Sequence, residues 1–492
     1  MKELLKNPII LLLILGCGVI YLLLAFLAVG RNQKLGALVE KLIVGLYLFM
    51  MPGLSISPFS KLHPIALAHP EKSLPSMIFQ LGLYGAVLFI LLPRLKYTIK
   101  YYLDLVALLL QKNPGLCLYL FLIFLSFAWS DTPVYTLKYS LIWLGATIFS
   151  TYITKQYSYR EISILLRWCS VVTAILSTFY SKFKPAIGIN PAKNSWQGII
   201  DHPNKLAALM ALSAILWGLE AIENPKNRWL SIGVVLYSLF VLQMTESGGG
   251  KIQFLIGTIA VLSVRFLKKL PFQWSLFFIV LFLILSINGF IIITNNLEAI
   301  IVDGLGKDIT LTGRTPLWTY LFAEKIPKRP WLGYGFHGFW QPWRGADNPA
   351  ANHISGELRM PSGSGYWTPP HSHNGFVEII IDLGLIGFTA FSLSFCTALV
   401  QSIQYLTSPQ KRESILELIL PILLLIFIVF PNLTEIPLVE NNHNWYYYIF
   451  LTIGICIKTS RKNFGVEPGL KKVPYRQNLF IAEARKKGNI KT

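Results

Sequence analysis

Apolar residues run through this chain in long stretches, at 8–29, 37–55, 75–93, 114–130, 136–154, 163–181, 203–221, 229–245, 250–266, 272–294, 375–403, 414–431 and 444–458. Each approaches the roughly 20 residues that a helix needs to cross the hydrocarbon core of a bilayer. The pattern predicts an all-α, polytopic helical membrane protein with about 12–13 transmembrane helices. Polar residues are confined to short connections and to one long interruption, residues 295–372. A connection of that length inside a compact protein is usually functional, and short helices are expected within it. The chain then divides into N-terminal membrane helices (1–294), the large loop (295–372), C-terminal membrane helices (373–458) and a basic tail (459–492).

Composition supports the membrane reading. Of 492 residues, 53% are hydrophobic and only 14% charged, whereas a soluble domain carries roughly 25% charged residues. The formal charge of +20 invites a nucleic-acid reading. Its distribution argues for topology instead, because Lys and Arg collect in cytoplasmic loops. "RLKYTIK" (94–100), "RFLKK" (265–269) and the tail are the basic segments, and ten Lys/Arg against two Glu follow Ile457. With the tail inside, the large loop faces outward, as do the turns at 130–134, 184–202, 246–249 and 431–444. The first apolar run looks like a signal sequence without a small-residue cleavage site and is expected to be retained. The five cysteines all lie inside apolar runs and show no pairing or metal-ligand spacing.

The outward turns carry the candidate chemistry. "PPHSHNGFVEIIIDLGLIGF" (369–388) puts His371 and His373 directly before an apolar run. Imidazole is the side chain best poised to accept a proton near neutral pH. The plainer reading is an interfacial pair capping a helix. Glu378 and Asp382 share a helix face, and acidic groups at that depth should point into protein or a water-filled cavity. Gly384 and Gly387 would let a neighbouring helix approach closely. Earlier in the loop, "LTGRTPLW" holds Arg314, whose guanidinium suits bidentate contact with phosphate. "GYGFHGFW" (333–340) follows with His337 in a glycine-rich aromatic turn. "MTESGGGKIQF" (244–254) departs from the phosphate-loop pattern, since Ile252 replaces its Ser/Thr. It still delivers Lys251 to a helix start, either as a phosphate-binding point charge or as an interfacial lysine. "GIIDHPNKLA" (198–207) places Asn204 at another helix start, and "NLTEIPL" (432–438) carries Glu435.

In order along residues 110–455, these elements resemble the O-antigen ligase and polymerase superfamily of bacterial inner-membrane glycosyltransferases. The family signature is His, then Asn, Ser or Gln, then nine residues and Gly-x-x-Gly. His373-Asn374 and Gly384-Leu385-Ile386-Gly387 fit it without a gap, whereas His371-Ser372 would need eleven intervening residues. "TGRTPLW", "RPWLGYGFHGF", "FAWSDTPVYTLKYSL", "GIIDHPNKLA" and "NLTEIPL" resemble the other family elements. One departure is the turn "ESGGGK", where family ligases commonly carry an arginine after the Ser and this chain offers Lys251.

The resemblance implies transfer of a glycan from a polyprenyl (undecaprenyl) diphosphate carrier to an acceptor hydroxyl, such as lipid A core, on the periplasmic face of the inner membrane. His373 would take the proton and Arg314 would hold the departing diphosphate, with inversion at the anomeric carbon. Lys251, His371, Asn374, His337, Asn204 and Glu435 would contact substrate, and no cofactor or metal is expected. The expected partners are the lipid-linked glycan donor, a lipid or glycan acceptor and the membrane, with no nucleic acid. A polymerase joining lipid-linked repeat units is the alternative. A transporter is disfavoured because no internal repeat is visible and the polar residues gather in one loop.

Overall fold

The computed structural model describes residues 33–50, 52–54, 95–191, 194–305, 314–351, 358–362, 365–367, 369–408, 414–433, 435, 438–439 and 443–460. The predicted spans at 8–29 and 75–93 and most of the basic tail lie outside the described residues. Every other predicted run coincides with a helix. In chain order the longer helices before the large loop are α1 (Gln33–Met50), α2 (Leu95–Lys112), which no predicted run covers, α3 (Pro114–Leu125), α4 (Pro133–Gln156), α5 (Tyr159–Phe183), α6 (Pro203–Glu223), α7 (Arg228–Met244), α8 (Gly248–Leu267) and α9 (Phe272–Leu305). The short α10 (Arg314–Tyr320) lies in the large loop, and α11 (Gly375–Thr407), α12 (Ile415–Asn432) and α13 (His443–Ser460) close the bundle. Strand is confined, among the described residues, to two small hairpins, Ile189–Asn190 with Ser195–Trp196 and Met360–Ser362 with Gly365–Trp367.

Five of the described helices, α5, α6, the first part of α9, α11 and α12, are each long and apolar enough to cross a membrane. A sixth crossing is available if Leu103–Lys112 and Pro114–Ala128, bent 117° against each other, count as one. The bend falls at Asn113-Pro114, where proline cannot continue a helix. The Asn113 side chain caps α3 by accepting from Leu116 N. The chain is therefore a multi-pass helical membrane protein.

Position in the bundle follows from how each helix is patterned. α12 is apolar on every face and lies in the middle, packed against α6, α8, α11 and α13. A helix hydrophobic all round belongs in such a core. α9 sits at the edge, with Trp274, Phe277, Ile284 and Leu285 exposed. Lipid tails are as apolar as these side chains, so their exposure carries no penalty in a bilayer.

α11 is two helical segments divided at Gly384, whose backbone (φ 66°, ψ −169°) is not helical. The break is filled by the loop turn that follows "KRP". Tyr334 N and Gly335 N donate to the carbonyls of Ile381 and Asp382, while Leu385 N and Ile386 N donate to those of Pro330 and Trp331. A Cβ on Gly384 would lie 2.2 Å from the carbonyl carbon and oxygen of Trp331. The glycine thus admits the backbone of a loop rather than the neighbouring helix expected from sequence.

The segment 126–132 grips the other side of this turn. Trp129 Nε1 donates to Leu332 O, Phe336 N donates to Ser126 Oγ, and Arg329 pairs with Asp131 at 2.8 Å. Lys325 is buried, donates to Ala351 O at 2.8 Å, and has its pKa drawn below the ordinary lysine range by that burial. The start of "FAWSDTPVYTLKYSL" therefore anchors the loop to the bundle.

Candidate active site

Three helices begin at one end of the bundle, and each start is capped by a side chain from the segments singled out in the sequence. His202 Nδ1 accepts from Asn204 N at the head of α6, and Ser247 Oγ accepts from Gly250 N at the head of α8. Asn374 Oδ1 accepts from Phe376 N and Val377 N at the head of α11. Caps of these types satisfy backbone donors that a helix start leaves open.

The caps are joined to one another. Ser247 Oγ donates to Asn204 Oδ1 at 3.0 Å, and Asn204 Nδ2 lies 3.4 Å from Glu435 Oε1. The other oxygen of Glu435 stands 3.4 Å from His373 Nδ1. Asn374 Nδ2 reaches Leu433 O at 3.5 Å, which holds the Glu435 segment against α11. The rings of His371 and His373 are 4.0 Å apart, and His373 N donates to His371 Nδ1 at 3.1 Å. The network thus runs Ser247, Asn204, Glu435, His373, His371 across four separate segments of the chain.

A carboxylate beside Nδ1 has two consequences for an imidazole. It favours the tautomer with the proton on Nδ1, leaving Nε2 as the basic atom, and it stabilises the imidazolium formed after proton uptake. His373 also has a left-handed backbone (φ 53°), uncommon for a residue with a side chain. Such conformations persist where surrounding contacts fix them, and they cluster at functional sites.

Other residues expected at the site fall differently. Lys251 lies in the first turn of α8, on the same end as His373, with its side chain exposed. Arg314 is the first residue of α10. His337 is turned away into packing: its backbone (φ 55°) lets N–H donate to Asp382 Oδ2, its Nε2 lies 3.1 Å from Val439 O, and its ring meets Tyr139. His337 thus sits as a wedge between the loop and the bundle. Ser247 was not singled out by sequence, although a Ser directly before "GGGK" is a legible cap. The ligating atoms of His371, His373 and Glu435 lie within 4.8 Å of one another, so these three could also hold a divalent ion of the kind bound by two imidazoles and a carboxylate.

The described residues thus form a multi-pass helical bundle with a histidine–carboxylate pair where three helix starts converge. Residues 233–392 match the O-antigen ligase family, a stretch that begins in α7, takes in Lys251, Arg314 and both site histidines, and ends in α11. The chain is 32% identical over 113 residues to the exopolysaccharide production protein ExoQ of Rhizobium meliloti, covering 23% of this chain and 24% of that protein. It is 26% identical over 186 residues to a Rickettsia conorii protein named as a polysaccharide ligase, covering 37% of this chain and 42% of the relative. The matched stretches thus span less than half of either relative. Residues 233–392 are thus similar to the O-antigen ligase family, and the two relatives are named for exopolysaccharide production and polysaccharide ligation.

Proposed function

We propose that the protein is an inverting membrane glycosyltransferase that moves a glycan from a polyprenyl diphosphate carrier to an acceptor hydroxyl at the periplasmic face of the inner membrane. The observation that carries this reading is the pairing of His373 Nδ1 with Glu435 at the head of α11. The acceptor oxygen loses its proton to His373 Nε2 and forms the new bond to the anomeric carbon. The bond from that carbon to the carrier phosphate breaks, and the diphosphate leaves with the electron pair. Arg314 holds the phosphate oxygens, with Lys251 as a second cation; positive groups aimed at developing charge are a large source of rate enhancement. Asn204 and Ser247 hold Glu435, and Glu435 orients the base.

The test is complementation of a strain lacking the gene, at matched membrane levels, with sizing of its lipid-linked glycans. Long polysaccharide stranded on the carrier in the deletion strain identifies a ligase. A polymerase joining lipid-linked repeats is the second reading, favoured by the relative named for exopolysaccharide production; single repeats would then accumulate. Neither accumulation, with normal surface glycan, removes the proposal.

Two further outcomes follow. Glu435→Gln keeps the shape but removes the charge, and turnover is expected to fall roughly 10- to 100-fold, about 1.4–2.7 kcal/mol of lost charge stabilisation in the transition state. Initial rates in membranes of equal protein content check this. A rate within twofold of wild type removes Glu435 from the mechanism. Because His373 serves as the base in free form, EDTA dialysis should leave the rate unchanged. A loss restored by added Zn²⁺ or Mn²⁺ would assign the His371, His373 and Glu435 cluster to a metal instead.

A further inference from the structure

The turn bearing His373 is held from two directions by residues outside the turn itself, both acting on Ser372. Ser372 is fully buried. Its N–H donates to Glu378 Oε2 at 2.9 Å, and its carbonyl accepts from Trp318 Nε1 at 2.8 Å. The second bond fixes the peptide unit that joins Ser372 to His373. The N–H of that same unit donates to His371 Nδ1. The Ser372 hydroxyl closes the turn by donating to Asn374 O at 2.8 Å. Both ends of the peptide that sets the His373 backbone are therefore occupied.

The two outside residues bring in other parts of the loop. Glu378 is 2% exposed, and its second oxygen accepts from Trp340 Nε1 at 2.6 Å, so the carboxylate ties the "GYGFHGFW" turn to the histidine turn. An acceptor-only carboxylate suits this place, since both partners are N–H donors. Trp318 stands four residues after Arg314 on α10, about one helical turn away. Its indole N–H thus links the short helix that opens with Arg314 to the peptide that carries the base.

We infer that Trp318 and Glu378 are positioning residues for the transfer reaction: they hold His373 in its left-handed conformation and set its place relative to the α10 helix of Arg314. The inference rests on the reading of His373 as the base. A side-chain-bearing residue in a sparsely populated conformation carries backbone strain, and the Ser372 bonds oppose its relaxation.

The experiment measures transfer in membranes from the native host, with the lipid-linked glycan fraction extracted from the deletion strain as donor. Trp318→Phe keeps the ring and loses the donor. Glu378→Gln keeps the size but presents an amide N–H to one of two N–H donors. For each, kcat per folded enzyme is expected to fall at least about 10-fold, within the reach of ångström-scale misplacement, while KM for the donor stays within about twofold. The double variant should lose little more than the worse single one, because both act through one residue, Ser372. Full kcat per folded enzyme in Trp318→Phe overturns the inference, whether or not Glu378→Gln folds. Equal losses in kcat and in folded amount, with normal turnover per folded molecule, reduce both residues to structural ones and also overturn it. His373→Ala is measured alongside. If that variant keeps the wild-type rate, the base reading fails, an outcome distinct from failure of the inference.

Discussion

Gly384→Ala should leave little folded protein in the membrane. An alanine at this φ of 66° carries a backbone penalty of about 1–2 kcal/mol. The larger effect is overlap, since the added Cβ would sit 2.2 Å from backbone atoms of Trp331 and 2.5 Å from Leu332 N. Those are main-chain atoms, so the whole turn must withdraw. Withdrawal breaks the bonds from Leu385 N and Ile386 N to Pro330 O and Trp331 O. Each buried group left unpaired costs about 1–3 kcal/mol, and the sum is comparable to the entire net stability of about 5–15 kcal/mol. Fluorescence-detected size exclusion in detergent checks this. A monodisperse peak of wild-type height would show that the turn has another seat. Gly384→Ala should also silence transfer, because the displaced turn carries Trp340 and so the Glu378 contact.

His373→Ala should leave folding intact and remove transfer. General base catalysis contributes typically 10²–10⁴-fold, so the rate per folded molecule is expected to fall by at least about 100-fold. The backbone offers a useful control. Asparagine tolerates the left-handed conformation well, so His373→Asn should fold as well as wild type and still lack the base. The two variants together separate a lost proton acceptor from a disturbed turn. A rate within about threefold of wild type in either variant would remove His373 as the base. In the His371→Ala protein the His373 N–H loses its ring acceptor, and a smaller, positional loss is expected.

Much of the membrane architecture was legible because a span must be apolar along its whole length, and length is read directly from sequence. The runs at 163–181, 203–221 and 414–431 became α5, α6 and α12 within a few residues of their expected ends. α2 escaped notice since Lys96, Lys100 and Asp104, which share one face of the helix, break its apolar run in the sequence. The polar starts of α6, α8 and α11 were each visible singly, as Asn204, the "ESGGGK" turn and His373. Their meeting was not, because Glu435 lies more than 60 residues beyond His373 in the sequence and only the packing of α11, α12 and α13 brings them together. The indole bonds of Trp318 and Trp340 were invisible for the same reason. A tryptophan at a membrane loop is ordinarily read as an interfacial anchor, and nothing in its neighbours names a partner across the fold. Gly384 was recognised by its spacing and given the wrong partner, because glycine pairs in membrane helices most often meet another helix.

The seam between the 330–335 turn and the broken helix bears on motion. Four main-chain bonds cross it, two on each side of Gly384. A lid swings on one or two hinges; a segment laced into a helix on both sides of its break has none free. The turn can leave the bundle only if α11 locally unfolds, and such openings are rare excursions that cost a large part of the free energy of unfolding. The 330–335 turn therefore works as a fixed wall beside the broken helix. A substrate borne on a lipid would arrive by gliding in along the plane of the bilayer, with entry and exit left to segments other than this one.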